Sequence, residues 1–126
     1  LRRSRGLGDV YKRQIFISSA AGQYHGPKTL HYAVSKAALI SMTKVMSRYG
    51  AKDDILDNAI APGLIETEQT KDEFAKGAAE AIIKKTTLLG RQGYPHDVNS
   101  ALRFLLDKDQ TYMTGQVLSL SGGAIL

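Results

Sequence analysis

The sequence predicts an α/β fold built on a parallel sheet, and three features of its 126 residues carry that prediction. Short β-branched runs alternate with longer segments of helical period. Each apolar run ends in serine, proline or glycine. The longest periodic segment, Thr29 to Tyr49, has apolar residues at Ala33, Ala37, Ile40, Val45 and Met46, which share a helix face. Strands that alternate with helices are joined by crossovers, which makes neighbouring strands parallel and the crossovers right-handed.

The elements follow in order. Gln14 to Ser18 reads as a buried strand that delivers Ser18 and Ser19 at its carboxyl end. Ala20 to Pro27, with two glycines and a proline, reads as a loop. The helix from Thr29 to Tyr49 follows, with Gly50 as its stop. Ile55 to Ala61 is a second strand, ended by Pro62-Gly63 because proline cannot donate to a ladder and glycine permits a tight departure. Glu66 to Asp72 is polar and aperiodic, an exposed loop leading into a helix from Glu73 to Lys85. Pro95 opens a helix to Leu106 at the first-turn position, where its missing N–H costs nothing. Gln116 to Leu120 is the last strand, closed by Gly122 and Gly123.

Composition has to be read after the first fourteen residues are set aside. Ser4 to Gln14, S-R-G-L-G-D-V-Y-K-R-Q, resembles the translation of a transposon-end adaptor used in sequencing libraries, so residues 1–14 are expected to be a non-native tail and 15–126 the domain. On that reading Gly6-Leu-Gly8 is not half of a dinucleotide loop and Arg2-Arg3-Ser4-Arg5 is not a nucleic-acid arm. The tail is expected to have no place as a strand of the sheet. It holds five basic residues and one acidic, and without them twelve basic side chains face eleven acidic, a net charge of +1 in place of +5. A near-neutral domain has no electrostatic footprint for nucleic acid or an anionic membrane. No apolar run approaches the ~20 residues that span a bilayer. The absence of cysteine excludes disulfides and thiolate metal sites and fits a cytoplasmic location. His25, His31 and His96 lack the clustered carboxylates or ligand spacing of a metal site, so none is expected.

Tyr32 and Lys36 carry the chemistry. On a helix, positions i and i+4 share a face, so an ammonium can sit beside a phenol and favour its ionised form. A tyrosine tuned that way can trade a proton with a substrate oxygen near neutral pH. Ser19 lies thirteen residues before Tyr32, at the expected strand end. Ser18 is the alternative polar contact, but strand alternation aims it at the opposite face.

Four landmarks in order, Ile17-Ser-Ser19, Tyr32-x-x-x-Lys36, Ala61-Pro-Gly63 with Ile65-Glu-Thr67, and Thr114 to Gly123, resemble the short-chain dehydrogenase/reductase family from about Ile15 to Leu126. That resemblance implies a Rossmann-like, doubly wound parallel sheet and NAD or NADP as cofactor. It implies that Tyr32 is the general acid/base in a carbonyl–alcohol interconversion, that Lys36 lowers its pKa and binds the nicotinamide ribose, and that Ser19 holds the substrate oxygen. Pro62, Gly63, Ile65 and Thr67 match positions that line the nicotinamide, although Ile65 also reads as a packing residue and Thr67 as a turn cap. Glu66 to Ala79 matches the substrate loop, whose polarity leans toward a polar small molecule. The family commonly forms homodimers and homotetramers, and the apolar residues Ala33, Ala37, Ala38, Met42 and Met46 cover more than one face of the tyrosine-bearing helix.

The sequence departs from the family pattern in lacking the strand and glycine-rich turn for the pyrophosphate, the residue that selects the adenosine ribose, and an Asn-Asn-Ala-Gly stretch. The expectation is the carboxyl-terminal half of a cytoplasmic NAD(P)-dependent oxidoreductase. The competing expectation is a short non-catalytic interaction module on a Rossmann-like scaffold. It would need its own start codon, whereas the first methionine is Met42.

Overall fold

Ile15, Phe16 and Ile17 form the first strand together with the two residues before them, giving β1 (Arg13–Ile17). The computed structural model describes residues 12–24, 30–68, 70–75 and 77–124, excluding the side chains at 73, 74, 78 and 79. β1 crosses the boundary expected between residues 14 and 15: Arg13 pairs with Leu56 and Gln14 with Asp57. The Arg13 guanidinium donates from Nη2 to the carbonyls of Asp107, Lys108 and Gln110 at 3.1, 3.3 and 2.8 Å. Residues 1–11 of the expected tail lie outside the described residues.

Where a loop is expected after β1, Ala20–Tyr24 is a five-residue helix, α1. Ser19 starts it, its Oγ accepting a hydrogen bond from the Ala21 amide at 3.2 Å. The glycine that suggested a loop, Gly22, is instead needed for close packing against the next helix. That helix, α2 (Leu30–Gly50), buries Ala33, Thr43 and Ser47. It includes Gly50, whose φ of −73° is ordinary right-handed backbone, so the chain does not reverse there. It reverses after a short 3-10 turn, Ala51–Asp53, at Asp54, the residue with a left-handed φ of 58°.

β2 (Leu56–Pro62) pairs in parallel with β1 on one side and with β3 (Val117–Leu120) on the other, giving the order β1-β2-β3. Pro62 is the last residue of the ladder, opposite Leu120, rather than the first beyond it. Its five preceding residues, Asp57 to Ala61, are all buried. Successive side chains point to opposite faces, so unbroken burial means that both faces of the central strand are covered. α2 and α5 (Pro95–Leu106) both pack on β2. Ala59, Ile60 and Ala61 have no exposed surface and form the core with Ile83 and Leu105. Asn58, also buried, pins the approach to β3: its Oδ1 accepts from the Gln116 amide at 3.0 Å and its Nδ2 donates to the Met113 carbonyl at 2.9 Å.

The single helix expected over Glu73 to Lys85 is two, α3 (Lys71–Ala75) and α4 (Ala78–Thr86). Between them Gly77 adopts a φ of +72°, a left-handed conformation that no right-handed helix can pass through. The result is a Rossmann-like α/β fold with a parallel sheet.

Candidate active site

Because the strands are parallel, Ser18-Ser19, Pro62-Gly63 and Ser121-Gly122 all emerge at one end of the sheet, where open α/β folds place ligands. The Ser18 amide extends the ladder by one bond, to the Ile60 carbonyl at 2.8 Å, and the Gly63 amide does the same toward Leu120 at 3.0 Å. Ser18 is 3% exposed, and its hydroxyl donates to the Lys36 carbonyl at 2.7 Å. Ser19, the next residue, is half-buried.

Tyr32 and Lys36 lie one turn apart on α2, with the Lys36 ammonium 5.6 Å from the centre of the Tyr32 ring. Tyr32 is 41% exposed. Lys36 Nζ also donates to the Ile17 carbonyl at 3.0 Å, the last of β1. The lysine therefore bridges the tyrosine-bearing turn of α2 and the strand end that carries Ser19.

On the neighbouring strand end, Gly63 comes so close to β3 that a β-carbon there would stand 2.9 Å from the Ser121 Cα. Ile65 then pairs in parallel with Gly93, the Gly93 amide donating to the Leu64 carbonyl and the Glu66 amide to the Gly93 carbonyl, each at 2.9 Å. Thr67 is held in a turn whose hub is the Thr70 hydroxyl. That oxygen accepts from the Thr67 amide at 2.8 Å, donates to the Ile65 carbonyl at 2.9 Å and lies 3.1 Å from Thr67 Oγ1. The Lys71 amide closes onto the Thr67 carbonyl at 2.8 Å and starts α3. The Thr67 hydroxyl thus meets the Thr70 hydroxyl, and the Ile65 side chain lies against Gly93.

A cavity of about 140 Å³ opens beside Ile65 and is lined in part by Leu64, Leu89, Arg91, Asp97 and Leu120. Arg91 grips Asp97 through both nitrogens, at 3.0 and 3.2 Å. The Arg91 hydrogen bonds, with a further one from the Tyr94 amide at 2.8 Å, hold the Asp97 carboxyl well down, to about 2. Gln92 joins the two sides of this region, donating to Glu66 Oε2 at 2.7 Å and to the Tyr94 hydroxyl at 3.1 Å.

The structure thus brings Ser19, Tyr32 and Lys36 to one strand end through Lys36, and sets Pro62 and Gly63 at the adjacent one. Sequence reading missed the Arg91–Asp97 pair and the Thr70 hub. Asp97, two residues after Pro95, is an acid in the first turn of a helix, the pattern that could have flagged it. Among the described residues no group of three or more His, Cys, Asp or Glu side chains could hold a metal ion, and no helix is long and apolar enough to cross a membrane.

A family model described as enoyl-(acyl carrier protein) reductase matches residues 8–124. The chain is 41% identical over 116 residues to the 3-oxoacyl-[acyl-carrier-protein] reductase FabG of Rickettsia prowazekii, covering 92% of this chain and 47% of that protein. It is 37% identical to a tropinone reductase homologue of Arabidopsis thaliana, over 98% of this chain and 45% of the relative. Among solved structures, 4-hydroxyisoleucine dehydrogenase complexed with NADH superposes with a TM-score of 0.87 at 32% identity, over 92% of this chain and 48% of that one. ElxO with NADP bound gives 0.82 at 34% identity, over 89% and 46%. The chain spans about half the length of the relatives it matches. With four motifs in family order and a matching model over nearly all its length, the chain belongs to the short-chain dehydrogenase/reductase family.

Proposed function

We propose that this chain carries the catalytic and substrate half of an NAD(P)-dependent oxidoreductase that interconverts a carbonyl and an alcohol. The observation that carries the reading is the placement of Lys36 between Tyr32 and the end of β1. From that place the Tyr32 hydroxyl can give a proton to a developing alkoxide or take one from an alcohol. Ser19, at the same strand end, is the second hydroxyl and holds the substrate oxygen in place.

The residues present fit a nicotinamide nucleotide. An ammonium has three N–H donors, and the bond from Lys36 to the Ile17 carbonyl uses one, which leaves donors for a ribose diol. Lys36 would hold that ribose, and Pro62, Gly63, Ile65 and Thr67 would line the nicotinamide. When bound, the cofactor supplies or takes up the hydride. NAD and NADP both remain in the proposal, since relatives in solved structures hold NADP and NADH.

The substrate class is a small-molecule ketone or alcohol, and the polarity of the segment beginning at Glu66 favours a polar one. A cytoplasmic homodimer or homotetramer fits the absence of cysteine and the exposed apolar residues of α2, among them Val34, Met42, Val45 and Tyr49. The test uses the full-length protein that contains this segment. Tyr32→Phe should abolish NAD(P)H-linked turnover while leaving the fold intact, and near-native activity in that variant refutes the assignment. The same preparation in a sedimentation experiment should run as an oligomer.

A further inference from the structure

We propose that Ser18 and Gly22, neither of which faces the reacting groups, are positioning residues that seat Lys36 at the end of β1; this rests on the reading of Tyr32 and Lys36 given above. Three contacts from residues 17–22 converge on that one lysine. Its ammonium donates to the Ile17 carbonyl at 3.0 Å. Its carbonyl accepts the Ser18 hydroxyl at 2.7 Å. Its backbone touches Gly22 so closely that a β-carbon there would stand 2.7 Å from the Lys36 carbonyl carbon and 2.8 Å from the Ala37 nitrogen.

Each contact is more specific than packing requires. A helical carbonyl keeps a second lone pair after its intrahelical bond, and Ser18, anchored to β2 through its own amide, fills it. The buried hydroxyls of α2 itself do something different: Thr43 and Ser47 bond carbonyls of their own helix, Leu39 and Lys44. Ser18 instead crosses from sheet to helix. Gly22 sits inside α1, where glycine is less favourable than alanine. The backbone of α2 leaves no room for that alanine. Any group at position 22 larger than hydrogen would push the Lys36 turn, and the ammonium with it, away from Ile17. A misplacement of about 1 Å is enough to cost turnover when it moves a catalytic group.

The experiment compares Ser18→Ala and Gly22→Ala with Ser47→Ala in the full-length enzyme, each assayed with cofactor varied and each melted in parallel. Ser47→Ala removes a comparable buried hydroxyl from the same helix eleven residues from Lys36. Ser18→Ala should lower kcat roughly tenfold and raise the KM for cofactor, whereas Ser47→Ala should shift the melting temperature alone. Gly22→Ala should give the kinetic signature of Ser18→Ala, and it decides the matter if Ser18→Ala does not fold. The proposal fails if Ser18→Ala, or Gly22→Ala in its place, is kinetically indistinguishable from Ser47→Ala. If the underlying assignment is what fails, Tyr32→Phe keeps its turnover. If only the positioning role fails, Tyr32→Phe is dead while Ser18→Ala behaves as the control.

Discussion

Asp57 lies against Gly50 where the base of β2 meets the end of α2: a β-carbon on Gly50 would stand 2.7 Å from Asp57 Oδ2. The backbone of Asp57 is well satisfied, its amide donating to Thr114 Oγ1 at 3.0 Å and its carbonyl accepting from the Gly115 amide at 2.6 Å. The side chain is not. It is 1% exposed, and neither carboxyl oxygen meets a donor among the described residues.

Burial pushes the Asp57 carboxyl above its ordinary value of 3.8. A raised acid contributes stability that is fully present below the unfolded pKa and lost as pH rises through the folded one. Asp57→Val should therefore stabilise the protein at neutral pH by about 1–3 kcal/mol, the scale of an unsatisfied buried polar group. Its advantage over the native protein should shrink on acidification toward about pH 4. Denaturant melts of both proteins across this range check it, and a gap that does not narrow contradicts the burial argument.

Gly63 and Gly93 should respond unequally to alanine. At Gly63 the new methyl meets the Ser121 Cα at 2.9 Å, backbone locked by the ladder to Leu120. At Gly93 it meets the Cδ1 of Ile65, the far end of a flexible side chain that can turn aside. Gly63→Ala should cost roughly 2 kcal/mol or more in stability, and Gly93→Ala less than about 1.5. Equal losses in chemical denaturation would show that the Ile65–Gly93 bridge is as rigid as the sheet.

Asp97 is held to about 2, first by the Arg91 hydrogen bonds and then by the Tyr94 amide. A lowered acid stabilises above its unfolded pKa, so this contribution is lost as pH falls from about 3.8 through about 2. Arg91→Gln should move the Asp97 titration upward, so that the loss is smaller and is complete at a higher pH. Carboxyl-carbon NMR titration of both proteins reads the shift directly.

The 126-residue chain by itself should bind neither NADH nor NADPH measurably, although Ser19, Tyr32 and Lys36 are in place. No strand followed by a glycine-rich phosphate turn occurs among the described residues. Among the described residues the sheet has three strands, and Leu30, Val34 and Tyr49 are exposed on α2, so the chain should also aggregate readily. Calorimetric titration checks this, and a micromolar dissociation constant from a cooperatively folded sample would reverse it.

The sequence by itself determined the strand and helix alternation, hence the parallel sheet, because hydrophobic period and terminal glycines and prolines are local signals. It also determined the i,i+4 spacing that sets Lys36 beside Tyr32, since helix geometry alone puts them on one face. Tertiary structure decided what those residues do with the rest of the chain. Gly22 reads locally as a loop residue and sits in a helix because the backbone of α2 passes within contact distance. Gly50 reads as a stop and is helical, its missing β-carbon leaving room for Asp57. Asp57 lies inside a run that reads only as a strand, and it is buried because both faces of β2 are covered. The Arg91–Asp97 pair and the three carbonyls gathered by Arg13 join segments that no spacing rule connects. Such contacts depend on which segments pack together, and that is settled only when the sheet and helices enclose a common core.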